Sequence, residues 1–185
     1  MINIKQSQNG ESMLFDMKYQ FFDESGDTEI SMFVHGINIL AYEKNGKILT
    51  TRWNLDELTV WLRNFLNQLT EDPYPIDCAG EFAAQKDDTA RNFDSDDDAL
   101  FDEYYDKIDA WNINHRWHVA SHGAILADVY FQLVGDFVEI SWDNRNVARN
   151  VKFLSESGGV RIPKNIFCTV IESFLNAYAD HWFGD

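Results

Sequence analysis

Basic residues are the scarce component of this 185-residue chain: 15 lysines and arginines stand against 31 aspartates and glutamates, a formal net charge of −16. That scarcity argues against a nucleic-acid or anionic-membrane binder, because each phosphate would meet like charge. Cysteine is rarer still. Cys78 and Cys168 are the two in the chain, and neither sits in a C-x-x-C pair. A disulfide framework is therefore excluded, and two reduced thiols in a cytoplasmic protein are expected. No apolar run approaches the roughly 20 residues that span a bilayer, and Met1–Gln6 lacks the apolar stretch of a signal peptide. Catalytic signatures are missing as well: there is no G-x-S-x-G elbow, P-loop or G-x-G-x-x-G motif. The chain reads as non-catalytic, with no cofactor.

What is plentiful is apolar and aromatic. Phenylalanine, tyrosine and tryptophan together make 15% of the residues, enough to exclude disorder despite the charge. Met13, Phe15, Met17, Tyr19 and Phe21 alternate from Ser12 to Phe22, the pattern of a half-buried strand. Glu29–His35 and Ile37–Glu43 read as two more strands around Gly36. Asn45-Gly46 predicts a type I′ hairpin, with Ile48–Trp53 returning. A helix is then predicted, with Asn54 as N-cap, Glu57 completing a capping box, and a stripe of Leu55, Leu58, Leu62, Phe65, Leu66 and Leu69. Pro73 and Pro75 end it.

The last third follows the same plan. Leu126–Val134 and Phe137–Trp142 are strands around Gly135-Asp136, and Val151–Leu154 and Val160–Ile162 are shorter ones around Ser157-Gly158-Gly159. Pro163 suits the first turn of a helix whose stripe is Phe167, Val170, Ile171, Phe174, Tyr178 and Trp182. Laid over each other without a gap, the two helix entries match: Arg52-Trp53-Asn54 falls over Arg161-Ile162-Pro163, and Phe65-Leu66 over Phe174-Leu175. The match marks either a duplication or the ordinary likeness of two hairpin–helix units. The expected fold class is α+β: antiparallel sheets from two β-hairpin–helix units, with a central acidic helical insertion. The expected organisation is one compact domain over 1–185, with a first unit at 1–75, the acidic loop and helices at 76–123, and a second unit at 124–185.

The acidic surplus concentrates in the middle. Asp94, Asp96, Asp97, Asp98, Asp102, Glu103, Asp106 and Asp109 fall within sixteen residues. Asp77–Phe93 has little periodicity and reads as a loop. From Asp98 a helix is predicted, N-capped by Asp94 or Ser95, with Leu100, Phe101, Tyr104, Ile108 and Trp111 on one face. Asp98, Asp102, Asp106 and Asp109 line another, successive carboxylates lying about 5–6 Å apart. The row is either a solvated face or a docking surface for a basic partner. A calcium loop does not fit, because Ala99 and Tyr105 stand where an EF-hand needs Gly and Glu. Exposed members of the set Tyr104, Tyr105, Trp111 and Trp117 are the expected anchors beside the row.

His115, His118 and His122 fall at helical spacing, on a helix expected to stop at Gly123. Three imidazoles can bind zinc, which makes a metal-dependent hydrolase the catalytic alternative. No glutamate stands among them to act as base, and a histidine near a helix C-terminus has a structural use of its own.

The stretch His115–Asn144 contains His-Gly-Ala, Asp-Val-Tyr-Phe-Gln, Gly-Asp and Phe-Val-Glu-Ile-Ser-Trp-Asp. It resembles a module in uncharacterised bacterial proteins of defence and toxin-immunity gene neighbourhoods. The resemblance covers about a sixth of the chain and carries no catalytic residue, but it implies a role in bacterial or phage conflict. The expected function is a cytoplasmic inhibitor of a basic protein, either immunity to a toxin nuclease or DNA mimicry against a nucleic-acid-binding defence enzyme. An adaptor subunit of a bacterial assembly is the remaining alternative.

Overall fold

The structure, a computed structural model, describes residues 14–21, 28–53, 55–117 and 125–183. The expected N-cap Asn54 lies outside them, as do His118, His122 and Gly123. The first unit opens with β1 (Phe15–Phe21) and β2 (Thr28–Val34), antiparallel along their whole length. β2 then pairs at one end with β3 (Ile37–Asn38) and at the other with β6 (Thr51–Trp53). Between them, β4 (Tyr42–Lys44) and β5 (Lys47–Leu49) turn over Asn45 and Gly46, both at positive φ as the Asn-Gly reading requires. α1 (Asp56–Asn67) follows directly.

The second unit repeats the order. β7 (Val129–Val134) and β8 (Phe137–Asp143) form a hairpin, and β10 (Ser157–Pro163) lies on β8's other side and leads into α4 (Lys164–Phe183). β9 (Lys152–Phe153), between the second and third strands of its unit, pairs antiparallel with β4, from the same region of the first unit. Related strands that meet antiparallel are what a local twofold axis produces. Each helix also sends a ring to the other unit's first strand: Phe65 of α1 lies 5.7 Å from Phe131 on β7, and Phe174 of α4 lies 5.6 Å from Tyr19 on β1. Both units thus share one hydrophobic core, with Phe131 and Phe167 buried at its centre.

The expected α+β fold is present, with several departures. Ile37–Glu43 and Ile48–Trp53, each expected as one strand, are broken into β3 and β4 and into β5 and β6. Pro163, expected in the first helical turn, ends β10. β10 begins at Ser157, so Ser157-Gly158-Gly159 is strand and not turn. The reason is close packing: a Cβ on Gly158 would lie 2.5 Å from the Trp142 ring, and one on Gly159 2.4 Å from the Phe82 ring. Asp77–Phe93, expected as a loop, contains α2 (Ala83–Ala90). Its buried residues Ala83, Ala84, Asp87 and Ala90 let a short helix lie close on β7 and β8. Finally, α1 has Leu55 at its N-cap position with no side-chain cap bond.

Candidate functional site

The acidic segment is α2, a short turn and α3 (Asp98–His115), built on a second small core of Tyr74, Ala83, Ala84, Ala90, Ile108, Trp111 and Tyr130. The N-cap of α3 is Asp97, not Asp94 or Ser95: its carboxylate accepts from the amides of Ala99 (3.0 Å) and Leu100 (3.3 Å). Ser95 supports that cap by accepting from the Asp97 amide. Phe93 stacks on Tyr104 (3.9 Å), Tyr104 meets Tyr105 (5.5 Å), and Tyr105 meets Phe101 (4.7 Å). Both tyrosine hydroxyls donate to the preceding turn, Tyr104 to the Ala90 carbonyl and Tyr105 to those of Arg91 and Phe93. The rings are therefore held in place.

All eight carboxylates of the sequence cluster are exposed: Asp94, Asp96, Asp97, Asp98, Asp102, Glu103, Asp106 and Asp109. Lys107 pairs with Glu103 at 2.6 Å and holds it below the usual carboxylate range. Among the described residues none of the other seven has an ion pair. The expected anchors are placed differently. Tyr104 and Tyr105 are half-buried, whereas Trp111 and Trp117 are each 4% exposed and belong to the two cores, so neither is a surface anchor. The apolar stripe fails at its N-terminal end, where Leu100 (50%) and Phe101 (36%) face solvent. No residue from Asp98 to Glu103 is buried.

Beneath this surface lies a polar lock that sequence reasoning missed. Asp87, 3% exposed, accepts from the hydroxyls of Tyr74 (3.2 Å) and Tyr130 (2.9 Å), from Asn112 Nδ2 (3.3 Å) and from Arg91 Nε (2.6 Å). Burial, together with the Asp128 and Asp87 carboxylates, pushes the Tyr130 hydroxyl above the ordinary tyrosine range, so it stays a donor. Asp128 forms a two-pronged bond with Arg116 at 2.5 and 2.9 Å. Burial still raises the Asp128 carboxyl, against the opposing pull of Arg116. At the head of α2, Glu139 and Ser141 of β8 accept from the amides of Ala83 (2.8 Å) and Ala84 (3.1 Å), two of the donors every helix start leaves open. Burial likewise raises Glu139, with Ala83 and Arg161 opposing. One signal could have revealed α2: Ala83, Ala84, Asp87 and Ala90 recur at helical spacing.

The histidine reading changes too. α3 ends at His115, and Arg116 continues as extended chain bridging to Tyr130, so the expected helix to Gly123 is not formed through Arg116 and Trp117. His115 donates from Nδ1 to the Phe131 carbonyl (2.9 Å), and its Nε2 lies 3.1 Å from Asp72. Neither ring nitrogen is left over for a ligand. Among the described residues no group of three or more histidine, cysteine or acidic side chains is placed to hold a metal. Burial raises both cysteine thiols, consistent with packing roles. Among the described residues no helix is long and apolar enough to cross a membrane. No family model matches the chain, and no curated protein or solved structure matches it.

Proposed function

We propose that this chain is a non-catalytic cytoplasmic inhibitor that docks its acidic segment into the cationic cleft of a nucleic-acid-acting protein, as a toxin immunity protein or a DNA-mimic anti-defence protein. One contrast carries the reading. The acids the fold uses internally each have a cation: Asp87 has Arg91, Asp128 has Arg116, Asp143 has Arg145 and Glu139 has Arg161. Of the eight on the acidic segment, only Glu103 has one among the described residues. Seven such carboxylates on one exposed segment repel each other and, apart from Asp97 at the head of α3, cap no helix that would offset this, but they accelerate encounter with a basic surface. Leu100 and Phe101 supply apolar area beside them for short-range affinity.

The test is co-expression with the product of each adjoining gene. A basic nuclease or DNA-binding enzyme should lose activity when the chain is present. The triple change Asp98→Lys, Asp102→Lys, Asp106→Lys should restore that activity while leaving the circular-dichroism spectrum intact. Inhibition that survives both the triple change and about 0.5 M salt, where exposed charges are screened within a few ångströms, sinks the proposal.

A further inference from the structure

The two units share more than topology: the outer faces of their sheets carry the same polar residues. The tripeptide Glu-Ile-Ser occurs at 29–31 on β2 and at 139–141 on β8. Ile30 and Ile140 both point into the core, which places Glu29 and Ser31, like Glu139 and Ser141, on the outer face. Opposite Glu29 stands Arg52 of β6, and opposite Glu139 stands Arg161 of β10. On the first strands, Asp16 and Gln20 at β1 correspond in one register to Asp128 and Gln132 at β7.

In the second unit this set has an occupant. α2 seats its first amides on Glu139 and Ser141, and Phe82, just before the helix, lies under the Arg161 guanidinium at 5.8 Å. In the first unit the corresponding residues face outward: Glu29 and Ser31 are half-exposed, while Arg52, Lys18 and Gln20 are exposed. Ser31 Oγ accepts one bond from Asn38 and keeps a second lone pair. Lys18, standing where the second unit has Tyr130, pairs with Asp16 at 3.2 Å.

We propose that the outer face of the β1–β2–β6 sheet is a second helix-receiving surface, and that its occupant is the N-terminus of a partner protein's helix. The chemistry of that helix is read from the other unit. It carries small residues in its first turn, so the backbone can approach the sheet. It offers free first-turn amides to Glu29 and Ser31, where the positive end of the helix dipole meets a carboxylate. It also has an aromatic residue just before it, to lie against Arg52. This face is separate from the acidic segment and stands whether or not that segment binds a basic protein.

The probe is a synthetic peptide of residues Gly80–Arg91, stapled as a helix because so short a segment is marginal alone. It is added in trans to the intact protein and followed by amide chemical shifts. Shifts centred on Glu29, Ser31 and Arg52 are expected, with affinity falling about tenfold in Glu29→Ala and in a peptide carrying Phe82→Ala. Glu29→Ala should leave the melting temperature within about 1 °C, whereas Glu139→Ala, which strands a buried amide, should lower it by about 5 °C. Peptide shifts absent from this face overturn the proposal. So does a Glu29→Ala melting loss equal to that of Glu139→Ala, which would make Glu29 structural. Binding seen only after removal of residues 1–13 would assign the face to the chain's own N-terminus and overturns it too.

Discussion

In the second unit, β8 is paired along its length by β7 and β10, and its polar outer residues Glu139 and Ser141 are buried under α2. In the first unit, β2 carries the same Glu-Ile-Ser, yet its far side is shared between β6 and β3 and its outer face stays half-open. The inner faces are alike: Leu58, Leu62 and Phe65 of α1 and, in the same order and spacing, Phe167, Ile171 and Phe174 of α4 are all buried. The core therefore treats the two units as equals, and what separates them is cover. Covering a polar face obliges every group on it to find a partner. The lock of Asp87, Tyr74, Tyr130, Asn112 and Arg91 meets that demand where α2 and α3 lie over the sheet.

The largest losses are expected in the core that the two units share. Phe65→Ala and Phe174→Ala remove matched rings from the two helices, and each should destabilise by about 3–5 kcal/mol in chemical denaturation. A large inequality between them would show that the core is not symmetric in energy. Asp87→Ala acts on the covered unit alone. It leaves two buried hydroxyls, an amide and a guanidinium without their acceptor, at a cost of about 3 kcal/mol or more. Hydrogen exchange should rise first in α2 and α3, and then along the outer residues of β8, while β1 and β2 keep their protection.

A smaller effect is expected from Gly159→Ala. The new methyl meets the Phe82 ring and lifts the head of α2, costing about 1–3 kcal/mol. At the corresponding place in the first unit, Thr50 already carries a side chain, and its hydroxyl donates to the Ile30 carbonyl.

The smallest effect concerns pH. Burial raises the Asp128 and Glu139 carboxyls above their unfolded values, so the folded state binds protons more readily than the unfolded chain. Their contribution is fully present below the ordinary carboxylate range and is lost as pH rises through the raised folded values. Relief of the −16 charge acts in the same direction. Arg145 acts the other way: burial raises Asp143, but the Arg145 bonds outweigh it and hold that carboxyl low. The melting temperature should be higher at pH 5 than at pH 8. Replacing Asp128 and Glu139 by Asn and Gln should flatten that difference.

Much of the frame was readable from local pattern. Alternation located β1, the turns at Gly36 and Gly135-Asp136 bracketed β2, β7 and β8, helical stripes located α1 and α4, and Asn45-Gly46 located its turn. The repeat was read only in the ungapped register that sets Arg52 on Arg161, which holds from the third strand onward. That register sets Glu29 on Val138, one place short of Glu139, because the second unit is one residue shorter between its second and third strands. An ungapped comparison therefore passes over the shared Glu-Ile-Ser. In the acidic segment, the start of α3 at Asp98 was readable, but the fate of its rings was not. Leu100, Phe101, Tyr104, Ile108 and Trp111 share a face by spacing, yet only Ile108 and Trp111 are buried, because the second core does not extend under the first turns.

Most of the secondary elements, though not α2 or the end of α3, and the sign of the surface follow from the amino-acid sequence alone. Periodicity, turn chemistry and charge act over a few residues and need no neighbour. Only the tertiary structure decided which of two like polar faces is covered, and which aspartates are held inside and which are left out. Asp87 and Asp88 are adjacent in sequence, yet one is buried among four donors and the other lies at the surface beside Arg145. Burial depends on what packs above a residue, and for Asp87 that is fixed by strands and helices up to 43 residues away.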